Sequence, residues 1–136
     1  MSKQNLAVVQ KIYEAFGRGD VPAVLEHLAP DLRHFGVVSE ASDVPWHMQI
    51  TRKADVPLFF KAMGEAVEFT RFEPQAFAAS EEHVYCTVSF DATIRRNGRK
   101  LRDQIDLHRF TFRDGRVVEW RGSEDTATVR AAYLGA

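Results

Sequence analysis

The chain has 136 residues, with 18 Lys and Arg against 19 Asp and Glu, for a formal net charge of −1. That length suits one domain, residues 1–136, able to bury roughly two thirds of its unfolded surface. The balanced charge, with no run of five or six like charges, argues against nucleic acid and against a polybasic membrane anchor as partners.

The opening Met1-Ser2-Lys3-Gln4-Asn5 has no apolar signal core, and no apolar run approaches the ~18 residues of a spanning helix. A cytoplasmic location is therefore expected. The single Cys86 offers neither an internal disulfide nor a zinc framework, and its apolar, alternating surroundings make it a small buried hydrophobe.

In chain order, Leu6, Val9, Tyr13 and Phe16 recur at helical spacing until Gly17 and Gly19 supply a stop. Asp20 is an expected N-cap, with Pro22 in the first turn of a short second helix carrying Val21, Val24, Leu25 and Leu28. Residues 32–38 alternate as a strand, with His34 and Gly36 on one face and Phe35 and Val37 on the other. Residues 39–52 show neither period and are expected to be a loop in which Trp46 and His47 close the mouth of any cavity. Asp55 then caps a third helix bearing Val56, Phe59, Phe60, Met63 and Val67.

Beyond residue 67 the period becomes alternating. Residues 69–78 form a strand that Pro74 confines to an edge or bulge. In residues 84–95, Val88, Phe90, Ala92 and Ile94 make an apolar face and Thr87, Ser89, Asp91, Thr93 and Arg95 a polar one. Asn97-Gly98 predicts a type I′ hairpin into residues 101–113, and Asp114-Gly115 repeats it into residues 116–122. Helices first and a curved antiparallel sheet afterwards define an α+β fold. A twisted sheet around three helices leaves a hollow at its wide end, where a ligand pocket is expected. The polar outer face is expected to mediate a homodimer.

The residues Ile12-Tyr13-Glu14-Ala15-Phe16, Gly19-Asp20, Leu28, Asp31, Phe59-Phe60 and the run from Arg109-Phe110 through Trp120-Arg121 to Asp125-Thr126-Ala127 carry a family likeness. They resemble the ketosteroid-isomerase-related branch of SnoaL-like (nuclear transport factor 2-like) proteins. The resemblance implies a cone-shaped sheet, antiparallel or mixed, wrapped around the helices. It does not fix an activity, because the superfamily includes isomerases, polyketide cyclases, epoxide hydrolases, dehydratases and binding proteins.

By the resemblance, Asp106 falls where ketosteroid isomerase carries an oxyanion-hole Asp kept protonated by an apolar site. Gly36 falls at that enzyme's base position and Tyr13 one residue beyond its Tyr, so steroid isomerisation is disfavoured. The candidate catalytic set is His34 as acid or base, Asp106 and His108. Each has a structural alternative: an ion pair for Asp106, and a ring satisfied by a backbone carbonyl for each His.

Arg102-Asp103 with an acid near Glu124-Asp125 resembles part of the Asp-Arg-Asp arrangement of epoxide hydrolases of this fold. Asp125 is also a natural N-cap for a terminal helix. Tyr13, Phe16, Trp46, Phe59, Phe60, Phe90, Phe110 and Trp120 are the candidate ligand-binding residues. They suit a small apolar carbonyl or epoxide compound, and no Gly-rich phosphate loop calls for a cofactor. The alternative function is a non-catalytic binding or interaction module, whose few polar cavity atoms would all have protein partners.

Overall fold

The computed structural model describes residues 2–39 and 43–135, so residues 40–42 of the expected loop lie outside the description. Helix α1 (Ser2–Gly17) buries Val9, Ile12 and Ala15 along one stripe. Helix α2 (Val21–Leu25) follows at once, because the Asp20 carboxylate accepts the Ala23 backbone N–H at 3.1 Å. It is shorter than the expected segment: residues 26 and 27 continue as a turn, and Leu28 forms an isolated bridge with Val117. Strand β1 (His34–Val37) comes next, then a 3-10 turn (Lys53–Asp55) and helix α3 (Val56–Ala66). Asp55 occupies the N-cap position of α3 but makes no side-chain capping bond.

Strands β2 (Val67–Ala79), β3 (His83–Ile94), β4 (Lys100–Arg113) and β5 (Arg116–Ser123) form an antiparallel meander. Strand β1 joins parallel to β5, so the five-stranded sheet is mixed and open, in the order β1-β5-β4-β3-β2. Pro74 sits on β2, an edge strand, where its missing N–H costs no central ladder bond. Helix α4 (Thr126–Leu134) is capped by Asp125, whose carboxylate accepts the Thr128 N–H at 3.1 Å, and it ends at Gly135 in the left-handed region. No helix among the described residues is long and apolar enough to cross a membrane.

Two local features differ from expectation. Asp114 and Gly115 both have positive φ (52° and 79°), as a type I′ turn needs, but at residues 97–98 only Gly98 does (74°). That connection is a longer loop closed by Gly98 N–H to Ile94 O and Ile94 N–H to Arg99 O, each 2.8 Å. Asn97 is diverted to other work: its amide donates to the carbonyls of Ala132 and Tyr133 at the end of α4. Arg95 accordingly leaves the outer sheet face, its N–H and guanidinium bonding the carbonyls of Ala66 and Gly64.

The second feature is a β-bulge. Phe90 pairs with Gln104 but Ala92 pairs with Leu101, so β4 carries an extra residue here, and Asp103 takes φ 51°. The bulge inverts the alternation of β4. Leu101 points inward before it, and Asp106, His108 and Phe110 line the interior after it.

Candidate functional site

The concave side of the sheet, α1, α3 and the start of α4 enclose a chamber of about 90 Å³. All eight aromatic residues expected at a ligand site line it: Tyr13 and Phe16 from α1, Phe59 and Phe60 from α3, Phe90, Phe110 and Trp120 from the sheet, and Trp46 from the loop. Phe35 and Val37 join them from β1. Rings meet edge-on or tilted, as their quadrupoles prefer: Phe35 and Trp120 at 4.8 Å, Phe16 and Phe72 at 5.0 Å, Phe59 and Trp120 at 5.7 Å.

The half-buried Phe16, Phe60, Phe69 and Phe72 form the wall nearest solvent. A cavity of roughly 150 Å³ holds benzene, so the chamber as it stands takes less than one free ring. A bulkier ligand requires these outer side chains to move.

Four polar side chains enter this oily space: Tyr13, Asp106, His108 and Glu124. The Asp106 carboxyl makes no hydrogen bond among the described residues. Burial, and secondarily the nearby Glu124 charge, push its pKa up to about 8, so it is largely protonated at neutral pH. His108 is moved the other way, down to about 3, because burial penalises the imidazolium. Its Nδ1 lies 2.6 Å from the Tyr13 hydroxyl, which also lies 3.1 Å from Cys86 Sγ.

Sulfur accepts weakly and a phenol donates well, so we assign the strong bond as Tyr13 O–H to Nδ1, with the Cys86 thiol donating to the Tyr13 oxygen. That leaves the proton of the neutral ring on Nε2, which has no partner among the described residues. Burial raises the pKa of both Tyr13 and Cys86, so this relay stays uncharged and the thiol inert.

Glu124 lies just past β5, where the alternation Trp120, Gly122, Glu124 carries it inward. Its Oε1 accepts from His47 Nε2 at 3.0 Å, across 77 residues of sequence. His47 and Trp46 are not a lid at the mouth. Both are buried: Trp46 lines the chamber and packs edge-on against Tyr133 of α4 at 5.6 Å, and His47 lies behind Glu124 without lining the chamber.

His34 is not brought to this set. Phe35 and Val37 take the inward face of β1, which turns His34 and Gly36 to the other side. There the His34 Nε2–H donates to Gln49 Oε1 at 2.5 Å and Nδ1 lies 3.3 Å from the Trp120 carbonyl. Gln49 in turn donates to the carbonyls of Val37 and Ser39. His34 thus matches the structural alternative, a ring that pins the 39–52 segment to the sheet.

Gly36 is required there by close approach, since a Cβ would lie 2.6 Å from the Met48 carbonyl oxygen. Gly36→Ala is expected to cost about 1–3 kcal/mol by overpacking, read from the midpoint of urea unfolding. A change within experimental error would refute the crowding. Gly36→Asp would restore no base to the chamber, because this position faces away from it.

The epoxide-hydrolase-like set is not assembled either. Arg102 and Asp103 are exposed at the bulge, where the Asp103 N–H bonds Asp91 at 2.6 Å, and no Arg lines the chamber among the described residues. Asp125 caps α4, and only its neighbour Glu124 enters. No cluster of three or more His, Cys, Asp or Glu side chains suited to a metal ion occurs among the described residues.

An open mixed sheet with one aromatic chamber is the architecture of nuclear transport factor 2-like proteins. The model of the SnoaL-like domain family matches residues 9–120, and the chain belongs to that family. No curated protein sequence matches it. Among solved structures it is similar to a nuclear transport factor 2-like protein of unknown function from Burkholderia pseudomallei K96243, with 28% identity, a TM-score of 0.86 and 98% of each chain covered. TerC, co-crystallised with polyporic acid, aligns at 16% identity and a TM-score of 0.83 over 96% of this chain and 98% of its own. A LEH-like epoxide hydrolase from M. tuberculosis aligns at 17% identity and a TM-score of 0.72, over 98% of this chain and 92% of its own.

Proposed function

We propose that this protein is a cofactor-independent acid/base enzyme of the isomerase, cyclase or hydrolase type. It acts on a small apolar carbonyl or epoxide compound held in the aromatic chamber. The observation that carries the reading is the Asp106 carboxyl, which stands without a hydrogen-bond partner inside that chamber. Asp106 is half-buried and opens into the chamber, where desolvation favours its neutral form, and a module that only binds apolar ligands has no need of an acid held there. Carboxyls perturbed in this way within clefts are enriched at functional sites.

In its neutral form Asp106 donates a hydrogen bond to the ligand oxygen, and the free Nε2–H of His108 supplies a second donor. The Tyr13 bond fixes the His108 ring before the ligand arrives, so this donor stabilises negative charge that develops on oxygen without reorganising. The test uses cyclopentanone labelled with ¹³C at the carbonyl. Bound to the protein, its carbonyl resonance should move downfield of its position in alkane solvent, and Asp106→Leu, which has no donor, should reverse a large part of the shift. An alkane-like resonance in the bound state would reject the acid/base reading in favour of the binding module.

We also infer a homodimer through the outer sheet face. The half of that face bearing Ser89 and Asp91 is closed by Arg71, which bonds Asp91, Glu73 and Ser89. The other half carries Tyr85, Ile105 and Leu107, which are 43%, 61% and 61% exposed. An apolar patch of this kind on a sheet face supports association. Light scattering at micromolar concentration should return twice the chain mass, and Leu107→Glu should halve it. A monomeric wild type would refute the assembly.

A further inference from the structure

The proposed reaction needs a group that takes a proton as well as one that gives it. His34, the sequence-based candidate for that role, lies outside the chamber, and the position of the isomerase base is a glycine pressed against a backbone carbonyl. We propose that Glu124 is the proton-accepting carboxylate of this chamber and that His47 is its positioning residue. The inference rests on the acid/base reading above, but it stands on different atoms.

Three observations support it. Glu124 lines the same chamber as Asp106, and its side chain is only 6% exposed. It is held from behind by an imidazole with no exposed side-chain surface. The remaining ring nitrogen, His47 Nδ1, is buried with no hydrogen-bond partner among the described residues, so orienting Glu124 is the one hydrogen-bonding task of this ring among them.

A buried polar atom left unpaired is costly, which sets this arrangement apart from an incidental surface ion pair. A carboxylate can only accept, so Nε2 donates to Oε1. The second oxygen, Oε2, is thereby left free of this bond. The two carboxyls in the chamber then have unlike surroundings, one with an N–H donor and one with none. Such asymmetry divides them into base and acid.

With an enolisable ketone the step balances. Glu124 takes the proton from the α-carbon, the C–H electron pair becomes the C=C bond, and the carbonyl π pair moves to oxygen. That oxygen takes the proton of Asp106. The products are an enol, a protonated Glu124 and an ionised Asp106, and reversal with a solvent proton restores all three groups. No further reactant is consumed.

The experiment follows deuterium uptake at the α-carbons of cyclopentanone in D₂O by NMR, at saturating ketone, with thermal unfolding confirming that each variant is folded. The wild type should exchange faster than buffer, and Glu124→Gln should lose 100-fold or more, the scale of a missing general base. His47→Ala should lower the saturated rate about tenfold with little change in ketone affinity, a split that mere loosening of the wall would not give. His47→Gln, which keeps an N–H donor, should recover most of the rate.

Exchange by Glu124→Gln at the wild-type rate would overturn the assignment, as would a wild type that leaves the ketone unexchanged. The two readings separate cleanly. Loss in Asp106→Asn with no loss in Glu124→Gln keeps the oxygen-donor reading and rejects the base, whereas the opposite pattern supports the base and rejects Asp106.

Discussion

Asp106→Asn is expected to make the protein more stable at neutral pH while removing its activity. The unfolded chain releases this proton near the ordinary Asp value of 3.8, whereas the folded protein holds it to about 8. Between those values the folded state binds the extra proton, so stability falls as pH rises across that window and levels off above it. His108 contributes the opposite slope. Its folded value of about 3 lies below the ordinary 6.5, so its contribution is complete above pH 6.5 and is lost as pH falls toward 3.

The two slopes oppose each other from about pH 4 to 6.5, and Asp106 acts alone from about 6.5 to 8. There the wild type should lose on the order of 1.4 kcal/mol per pH unit, and Asp106→Asn should stay flat. At pH 7 the substitution should gain on the order of 2–4 kcal/mol, equivalent to a rise in Tm of about 10 °C. Thermal unfolding of both proteins between pH 5 and 9 measures this. Parallel curves would show that the carboxyl is not held neutral. A substitution that stabilises and inactivates together is the signature of a group kept for function.

Phe59→Ala should have the largest cost among the changes considered. Phe59 is 2% exposed, and its ring meets Phe35, Phe60 and Trp120 at centroid distances of 5.6, 5.4 and 5.7 Å. Truncation removes that buried area and leaves a void beside an existing chamber, where there is little for the surroundings to collapse onto. A loss of about 3–5 kcal/mol follows, a large share of the 5–15 kcal/mol by which a typical domain is stable. Urea unfolding should show a lower midpoint with an unchanged slope, and a loss below about 1.5 kcal/mol would contradict the packing described. The enlarged chamber should also bind benzene more tightly than the wild type, whose outer side chains must move to admit a ring.

Part of the candidate site could be read from the chain. Aromatic side chains at helical or alternating spacing had to face the interior, because nothing else removes so much apolar surface from water, and seven of the eight reached the chamber in this way, with Trp46 joining them from the loop without a period to signal it. Alternation also separated His34 and Gly36 from Phe35 and Val37, but it does not say which face is inward. The apolar character of Phe35 and Val37 was the available signal, and it placed His34 outside. Glu124 had a comparable signal, lying in step with Trp120 and Gly122. His47 had none, since the loop that carries it has no period.

The sequence by itself determined most of the elements and several of their ends, since these depend on neighbours within one or two turns: Asp20 and Asp125 as caps, Asp114-Gly115 as a hairpin turn, Pro74 on an edge, and a run of alternating strands after the third helix. Only the tertiary structure decided which polar groups meet. The bulge at Asp103 sets the parity that carries Asp106 and His108 inward, and the contacts of Tyr13 with His108 and of His47 with Glu124 span 95 and 77 residues. Such contacts are fixed by the packing of whole elements against one another, for which no local spacing in the chain is a code.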